Sequence, residues 1–330
     1  MVAIPTLHAG PHLDSCLRAL ETQTFRNFEV IVINNGDGPV APPADLSFSC
    51  RVLSPGKNVG FGAAVNLAAR DTSASFIATL NDDTEPDPSW LAALVAELLE
   101  EPRVGMCASR IRLLNSGEMD SAGMLLCLDG SSKQRGHGGP ASAFEHSEDV
   151  LFPSACAALY RREMVDDVGF FDEDFYLYCE DTDLGLRSRW AGWLCRYVPS
   201  ATVGHHYSAT LGPFSPSKAR FVERNRLWVV AKNFPLFLLP VVVAVAMTRY
   251  FWQFLSRRGQ RGATAGFFRS GGSLRQALFI VARAHAETLL ALPRLFLRRM
   301  AIRRKRRIGT LEFVRLILRH RITARELVRS

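Results

Sequence analysis

The chain has 330 residues, 48% of them hydrophobic, which is enough for one large α/β domain with an appendage and excludes a disordered protein. Its seven cysteines are scattered singly, with no CxxC pair and an odd total, so neither a cysteine-built zinc cage nor a disulfide framework is expected and the chain suits a reducing cytosol. The net charge of +8 is unevenly placed: residues 249–330 carry 20 Lys and Arg against three Glu, a balance of +17 that leaves −9 on the first 248 residues and implies two regions with different partners.

Val2-Ala3-Ile4 begins a strand at once, without the basic, apolar and small-residue order of a signal peptide, so the expectation is a protein that is not exported. The first strand runs to Thr6. Pro11 to Thr22 follows as a helix, Phe28 to Ile33 as a second, buried strand, and Gly36 to Pro43 as a loop rich in Gly and Pro. Arg51 to Leu53 is a short third strand, Gly62 to Arg70 a helix, and Ser75 to Leu80 another buried strand. This βαβ rhythm predicts a mostly parallel sheet with right-handed crossovers, a Rossmann-like nucleotide-binding half. From Gly105 to Tyr160 shorter strands and Gly-rich loops predict a mixed, partly antiparallel second half.

Four stretches carry chemistry. In Leu80-Asn81-Asp82-Asp83-Thr84-Glu85-Pro86-Asp87, two adjacent carboxylates sit at the carboxyl end of a strand, where open α/β sheets bind ligands. Hard carboxylate oxygens there suit a divalent metal holding phosphate oxygens, although an acidic loop that merely starts the next helix has the same composition. In Lys57 to Asn66, Gly60 and Gly62 would let the backbone approach a phosphate, and Asn58 and Asn66 offer amides; a plain turn before a helix is the simpler account. Gly169 to Leu184 places five aromatics among six carboxylates, a platform for a sugar face in which Glu180 or Asp181 could take a proton from a hydroxyl. Asp181 or Thr182 is equally placed to cap the following helix, with Asp183 in its first turn. Finally, Ala201 to Ser208 is strand-like and contains His205 and His206, one of which could complete a site of oxygen and nitrogen ligands.

Taken in order, these motifs resemble the bacterial rhamnosyltransferase-like members of glycosyltransferase family 2, over about Val2 to Pro235. The elements are Ile4-Pro5-Thr6, Ile33-Asn34-Asn35-Gly36, Asn58-Val59-Gly60-Phe61 with Asn66, and Leu80-Asn81-Asp82-Asp83. Then come Asp120-Ser121-Ala122-Gly123 with Arg135-Gly136-His137-Gly138, Ser154 to Ala157 with Arg161-Arg162-Glu163, Gly169 to Asp183, Ala191-Gly192-Trp193, His205 with Ser208, and Arg224-Asn225. The resemblance implies a GT-A fold and an inverting transferase that uses nucleotide-diphosphate sugars with Mg2+ or Mn2+. It implies Asp83 and His205 at the metal and Asp181 as catalytic base, with Glu180 the second candidate. It sets Thr6, Asn34, Asn58, Gly60, Asn66, Asn81 and Asp82 around the nucleotide. Asn34 and Asn81 depart from the usual Asp at their positions.

The expected division is a GT-A domain over 1–226 and a basic, apolar helical region over 227–330. Phe234 to Met247 is 14 residues without charge, short of the roughly 20 needed to span a bilayer, and extension to Leu255 reaches that length only by including Arg249 and Gln253, so an in-plane or re-entrant helix is expected rather than a full span. Leu274 to Leu297 keeps an apolar face beside arginines, and Arg303-Arg304-Lys305-Arg306-Arg307 follows. Such a basic amphipathic tail reads as binding an anionic membrane at its cytoplasmic face, with lipid preferred over nucleic acid as its partner. The function expected is transfer of rhamnose or a similar hexose to a saccharide acceptor, one that could be lipid-linked, in cell-surface polysaccharide synthesis. Two alternatives stand beside it: an inactive nucleotide-sugar-binding scaffold, suggested by Asn34 and Asn81, and a nucleotidyltransferase, which the lack of Lys or Arg in Pro5 to Gly10 disfavours.

Overall fold

A computed structural model of the chain describes residues 1–206, 215–257, 259 and 262–329. Two compact units are present: residues 1–124 with 134–209, and residues 125–133 with 210–330.

In the first unit the order is β1 (Val2–Thr6), α1 (Pro11–Glu21), β2 (Glu29–Asn34), β3 (Ser49–Leu53), α2 (Phe61–Arg70), β4 (Phe76–Leu80), β5 (Thr84–Pro86), α3 (Trp90–Glu100) and β6 (Val104–Leu113). It continues through β7 (Met119–Ser121), then β8 (Met124–Leu126) and β9 (Ser132–Gln134), most of whose residues belong to the second unit, and returns with β10 (Glu148–Asp149), β11 (Ala157–Arg161), α4 (Arg162–Val168), α5 (Glu180–Trp190) and β12 (Leu194–His205). The main sheet runs β10-β12-β6-β11-β4-β1-β2-β3, with β5 added to β12 and β7 to β6. Strands β4, β1, β2 and β3 are mutually parallel, as the βαβ rhythm requires, whereas β11 lies antiparallel between β4 and β6. The sheet is therefore mixed, as expected of the second half.

Both faces are covered, and the period of two along each strand decides which residue goes where. Val2, Ile4, Val30 and Val32 pack with Leu13, Leu17 and Leu20 of α1 and Trp90 and Leu94 of α3. Ala3, Ile31 and Ile33 point the other way, to Ala64, Val65 and Ala68 of α2. Trp90 is fully buried and its indole Nε1 donates to Ser109 Oγ at 2.8 Å, so the largest side chain under the sheet leaves no polar group unpaired.

The second unit contains α6 (Pro216–Asn233), α7 (Leu239–Ser256), α8 (Ala263–Arg269), α9 (Leu274–Arg304), α10 (Thr310–Arg319) and α11 (Ala324–Arg329). Residue 226, where the sequence placed the division, lies inside α6, and the compact units part at about residue 210. The cause is local: Arg224-Asn225 reads as the end of a catalytic motif, but α6 is one continuous helix that packs along α9. Asp129 belongs to this unit and lies buried with Glu223, Arg226 and Arg249.

Candidate active site

The acidic turn at the end of β4 is held from its backbone. Asn81 N donates to Cys156 O at 2.8 Å and Thr84 Oγ1 donates to Asn81 O at 2.6 Å, which fixes the direction of Asp82 and Asp83. The turn feeds β5, and β5 pairs antiparallel with β12 so that Thr84 lies opposite His205. That register brings a histidine 122 positions downstream to the aspartate, His205 Nε2 lying 3.3 Å from Asp83 Oδ1. The pair attracts as charges, but its geometry is not that of a hydrogen bond, and Asp83 Oδ1 is buried with no hydrogen-bond partner. Burial would raise the Asp83 carboxyl, yet His205 outweighs it and holds the group below the usual carboxylate range.

A residue to which the sequence assigned no role completes this arrangement. Asp120, on β7, is 2% exposed and its two oxygens are divided between two histidines: Oδ2 lies 2.8 Å from His205 Nδ1 and Oδ1 lies 3.0 Å from His137 Nδ1. With its Nδ1 committed to Asp120, His205 turns Nε2 to Asp83. Burial works against a charged His205. A Cys156 thiolate would favour the charge, but burial raises that thiol and keeps it neutral, so the flanking carboxylates are what lift His205 above the ordinary histidine range. The signal for Asp120 was a carboxylate inside the apolar run Met119-Asp120-Ser121-Ala122, where burial without a partner is too costly to occur. Ser208, quoted beside His205 in the family pattern, lies outside the described residues.

Asp82 is raised by burial, against the pull of the Thr6 hydroxyl, so the structure brings Thr6 and Asp82 together at the ends of β1 and β4. The other residues named for the nucleotide make contacts of their own. Asn34 closes a turn, its Nδ2 donating to Gly38 O at 2.8 Å and its Oδ1 accepting from Gly36 N at 3.2 Å. Asn58 Oδ1 accepts from Gly60 N at 2.9 Å. Asn35 cross-links the two loops, donating to Gly60 O at 3.3 Å and accepting from Val59 N at 2.8 Å.

Gly60 and Gly62 are required by packing. Gly60 has φ +87°, and a Cβ there would come 2.2 Å from Tyr176 O; a Cβ on Gly62 would come 2.8 Å from Phe171 Cβ. Asn66 is spent on the same segment, donating to Phe171 O at 2.8 Å and to Glu173 Oε1 at 3.0 Å and accepting from Phe171 N at 3.1 Å. These contacts join the N-cap and first turns of α2 to the segment that delivers the second carboxylate pair.

In that segment Tyr176, Tyr178 and Cys179 all have positive φ, between 64° and 68°, an uncommon run for residues with a Cβ. Cys179 is the N-cap of α5, so the caps expected of Asp181 or Thr182 are not formed, and Glu180 and Asp181 open the helix at its positive end. Asp183 is taken by Arg187, Nε to Oδ2 at 2.8 Å. Asp181 Oδ1 accepts from Thr182 N at 2.6 Å and Thr182 Oγ1 at 3.2 Å, while the residue stays partly open to solvent. Glu180 is buried, its Oε2 has no hydrogen-bond partner, and burial with the neighbouring Asp181 charge pushes its carboxyl up to about 8. Burial raises Asp181 as well.

The family model for glycosyl transferase family 2 matches residues 1–169, just over half of the chain and all of β1 to β11. The chain belongs to glycosyltransferase family 2. This glycosyltransferase is 30% identical over 236 residues to an N-acetylglucosaminyl-diphospho-decaprenol L-rhamnosyltransferase of Mycobacterium tuberculosis, covering 64% of this chain and 77% of the relative. Among solved structures, Staphylococcus aureus TarS residues 1–349 in complex with UDP-GlcNAc matches with a TM-score of 0.52 at 16% identity, over 96% of this chain and 89% of that one. GalNAc-T7 with UDP, GalNAc and Mn2+ matches with a TM-score of 0.56 at 15% identity, over 70% of this chain and 47% of that one. At those identities the structural matches establish a shared GT-A fold.

Among the described residues no group of three His, Cys, Asp or Glu is already gathered as a metal cage. The donor set nevertheless fits a divalent cation bound together with a diphosphate. A buried carboxylate oxygen lacks a partner, and an imidazole whose Nδ1 is held by a carboxylate faces it, the arrangement in which histidine serves as a ligand.

Proposed function

We propose that the protein is an inverting transferase that moves rhamnose or a similar hexose from a nucleotide-diphosphate sugar to a saccharide acceptor, lipid-linked, in cell-surface polysaccharide synthesis. The observation that carries the reading is the convergence of Asp83 and His205, with Asp83 Oδ1 unpartnered and His205 oriented by Asp120. Mg2+ or Mn2+ held by Asp83 and His205 would neutralise charge on the departing diphosphate. Asp82, with Thr6 beside it, borders the nucleotide, and Asn34, Asn58, Gly60 and Asn81 shape the loops around it. Asn66 is assigned to holding the Phe171 segment instead.

Asp181 accepts the proton of the attacking acceptor hydroxyl. It has the exposure that Glu180 lacks, and the Thr182 donors fix its orientation. Glu180, kept protonated by burial, adds no second negative charge beside it at neutral pH. The acceptor class is supported by the mycobacterial relative, whose name is that of an enzyme acting on a diphospho-decaprenol-linked sugar. A lipid-linked acceptor places the enzyme at a membrane, and the surface of the second unit agrees. Among the described residues, every large exposed apolar side chain except Leu99 and Leu114 lies at or beyond Leu236. With its basic charge, this region suits the anionic cytoplasmic face of the cell membrane, and the long apolar runs beside its arginines suit lipid better than nucleic acid.

Incubation with a panel of nucleotide sugars, following nucleoside-diphosphate release with and without a divalent metal, tests the reading. Release from at least one donor, abolished by chelator, is expected. No release from any donor with any acceptor, alongside tight donor binding, would leave the inactive scaffold as the better account.

A further inference from the structure

Helix α7 with the residues just before it, Leu236–Ser256, is long and apolar enough to cross a bilayer. Its charge pairing says otherwise. Arg249 is 5% exposed, with Nε 2.5 Å from Asp129 Oδ2 and Nη2 2.8 Å from Glu223 Oε2. Arg226, itself 1% exposed, bonds to Glu223 as well and donates to Tyr250 Oη at 2.6 Å. Two carboxylates and two guanidiniums are thus buried together among α6, α7 and the Cys127–Ser131 turn.

Arg249 is seven residues from the end of α7, about 10 Å along the axis. Were α7 to span the bilayer, Arg249 would lie that deep in hydrocarbon and bring its partners with it. Those partners sit on an irregular turn and on α6, which carries Lys218, Arg220, Glu223, Arg224, Arg226 and Lys232 within 18 residues. Neither charged helix nor irregular backbone is stable at that depth facing lipid. The opposite side of α7 is a different surface: Val243 is 62% exposed, Met247 62%, Phe251 56% and Phe254 48%. These positions, at spacings of four, four and three, form one apolar stripe facing away from Arg249.

We propose that α7 lies in the plane of an anionic bilayer, with the Val243, Met247, Phe251 and Phe254 stripe immersed in the lipid and the Arg249 side anchored in the second unit. A lipid surface is the occupant because the chain from Arg249 onward carries a balance of +17, and the run Arg303 to Arg307 is exposed. A second copy of the chain would bring the same positive charge against itself. The inference rests on the membrane placement proposed above. Nucleoside-diphosphate release, which needs no vesicle, distinguishes failure of the glycosyltransferase reading from failure of this one.

The test uses the full chain with vesicles of phosphatidylcholine, alone or with about 30% phosphatidylglycerol. Wild type is expected to sediment with the anionic vesicles, to bind less at high salt, and to be released by alkaline carbonate. Met247→Asp with Phe251→Asp is expected to weaken partitioning by about tenfold or more while leaving far-UV circular dichroism and Tm unchanged, since both side chains are exposed. Carbonate-resistant protein would overturn the proposal in favour of a span, and this readout on wild type stands even if the double variant misfolds. Unchanged binding by a folded double variant would also overturn it. So would a wild type that ignores vesicles but forms an oligomer that the double variant dissolves.

Discussion

Asp120→Asn is the most searching perturbation of the site, because it changes one buried atom and leaves both candidate metal ligands in place. The carboxylate accepts from two imidazoles at 2.8 and 3.0 Å. An amide has one acceptor oxygen, so its NH2 group must face one of the two Nδ1 atoms and drive that ring to carry its proton on Nε2. If the ring is His205, its neutral form keeps the proton on the nitrogen aimed at Asp83, which can then no longer ligate. If it is His137, His205 still loses the anionic partner that makes it a stronger ligand. Supporting carboxylates of this kind are worth about 10–100-fold in metal affinity, or roughly 1.4–2.8 kcal/mol. Mn2+ binding followed by electron paramagnetic resonance, together with Mn2+-dependent nucleoside-diphosphate release, should therefore both fall by that range, and Tm without metal should fall as well, because a buried His205 loses a carboxylate that stabilises its charge. Wild-type Mn2+ affinity in a folded Asp120→Asn protein would show that Asp120 only fills space. Absence of Mn2+ binding by wild type in the presence of a nucleoside diphosphate would instead remove the metal reading itself.

Asp83→Ala is expected to abolish most turnover, and full activity in that variant or in excess chelator would refute the metal assignment. Asp181→Asn should leave donor binding intact and lower kcat by about 10²-fold or more, the scale for loss of a general base; the same behaviour in Glu180→Gln alone would move the base to the buried neighbour. Glu180 also sets a pH dependence of stability. Its carboxyl stands at about 8 in the fold against an ordinary 4.5, so between those values the folded chain holds a proton that the unfolded chain has lost, and stability falls as pH rises through the window. Denaturant melts at pH 5 and pH 8 should show Glu180→Gln gaining on wild type at the higher pH, by a few kcal/mol at most; parallel curves would contradict the burial argument. Gly60→Ala should destabilise by about 2 kcal/mol or more, since it adds left-handed strain and a clash with Tyr176 O, and an unchanged Tm would refute the packing role assigned to this glycine.

Local pattern was enough to read the alternation of strands and helices through β4, because buried strands and amphipathic helices declare themselves within a few residues. It also placed Asp83 at a strand end and Glu180 and Asp181 at a helix start, since both positions follow from where an element begins or stops. What the amino-acid sequence could not contain is the register between distant strands. The pairing of Thr84 with His205 and the position of β7 beside β6 gather Asp83, His205 and Asp120 from three separate stretches. Gly60, Gly62 and Asn66 show the same limit from the other side. Glycines and an amide at the start of a helix look like a phosphate cradle, and only the nearness of Tyr176 and Phe171 reveals that they also hold one protein segment against another. In α7, hydropathy alone counts a run of apolar residues, whereas the fate of that run is decided by Asp129 and Glu223, which reach Arg249 from 120 and 26 positions away. Composition sets what a segment can bury, and the tertiary partners of its one charge determine which face it buries.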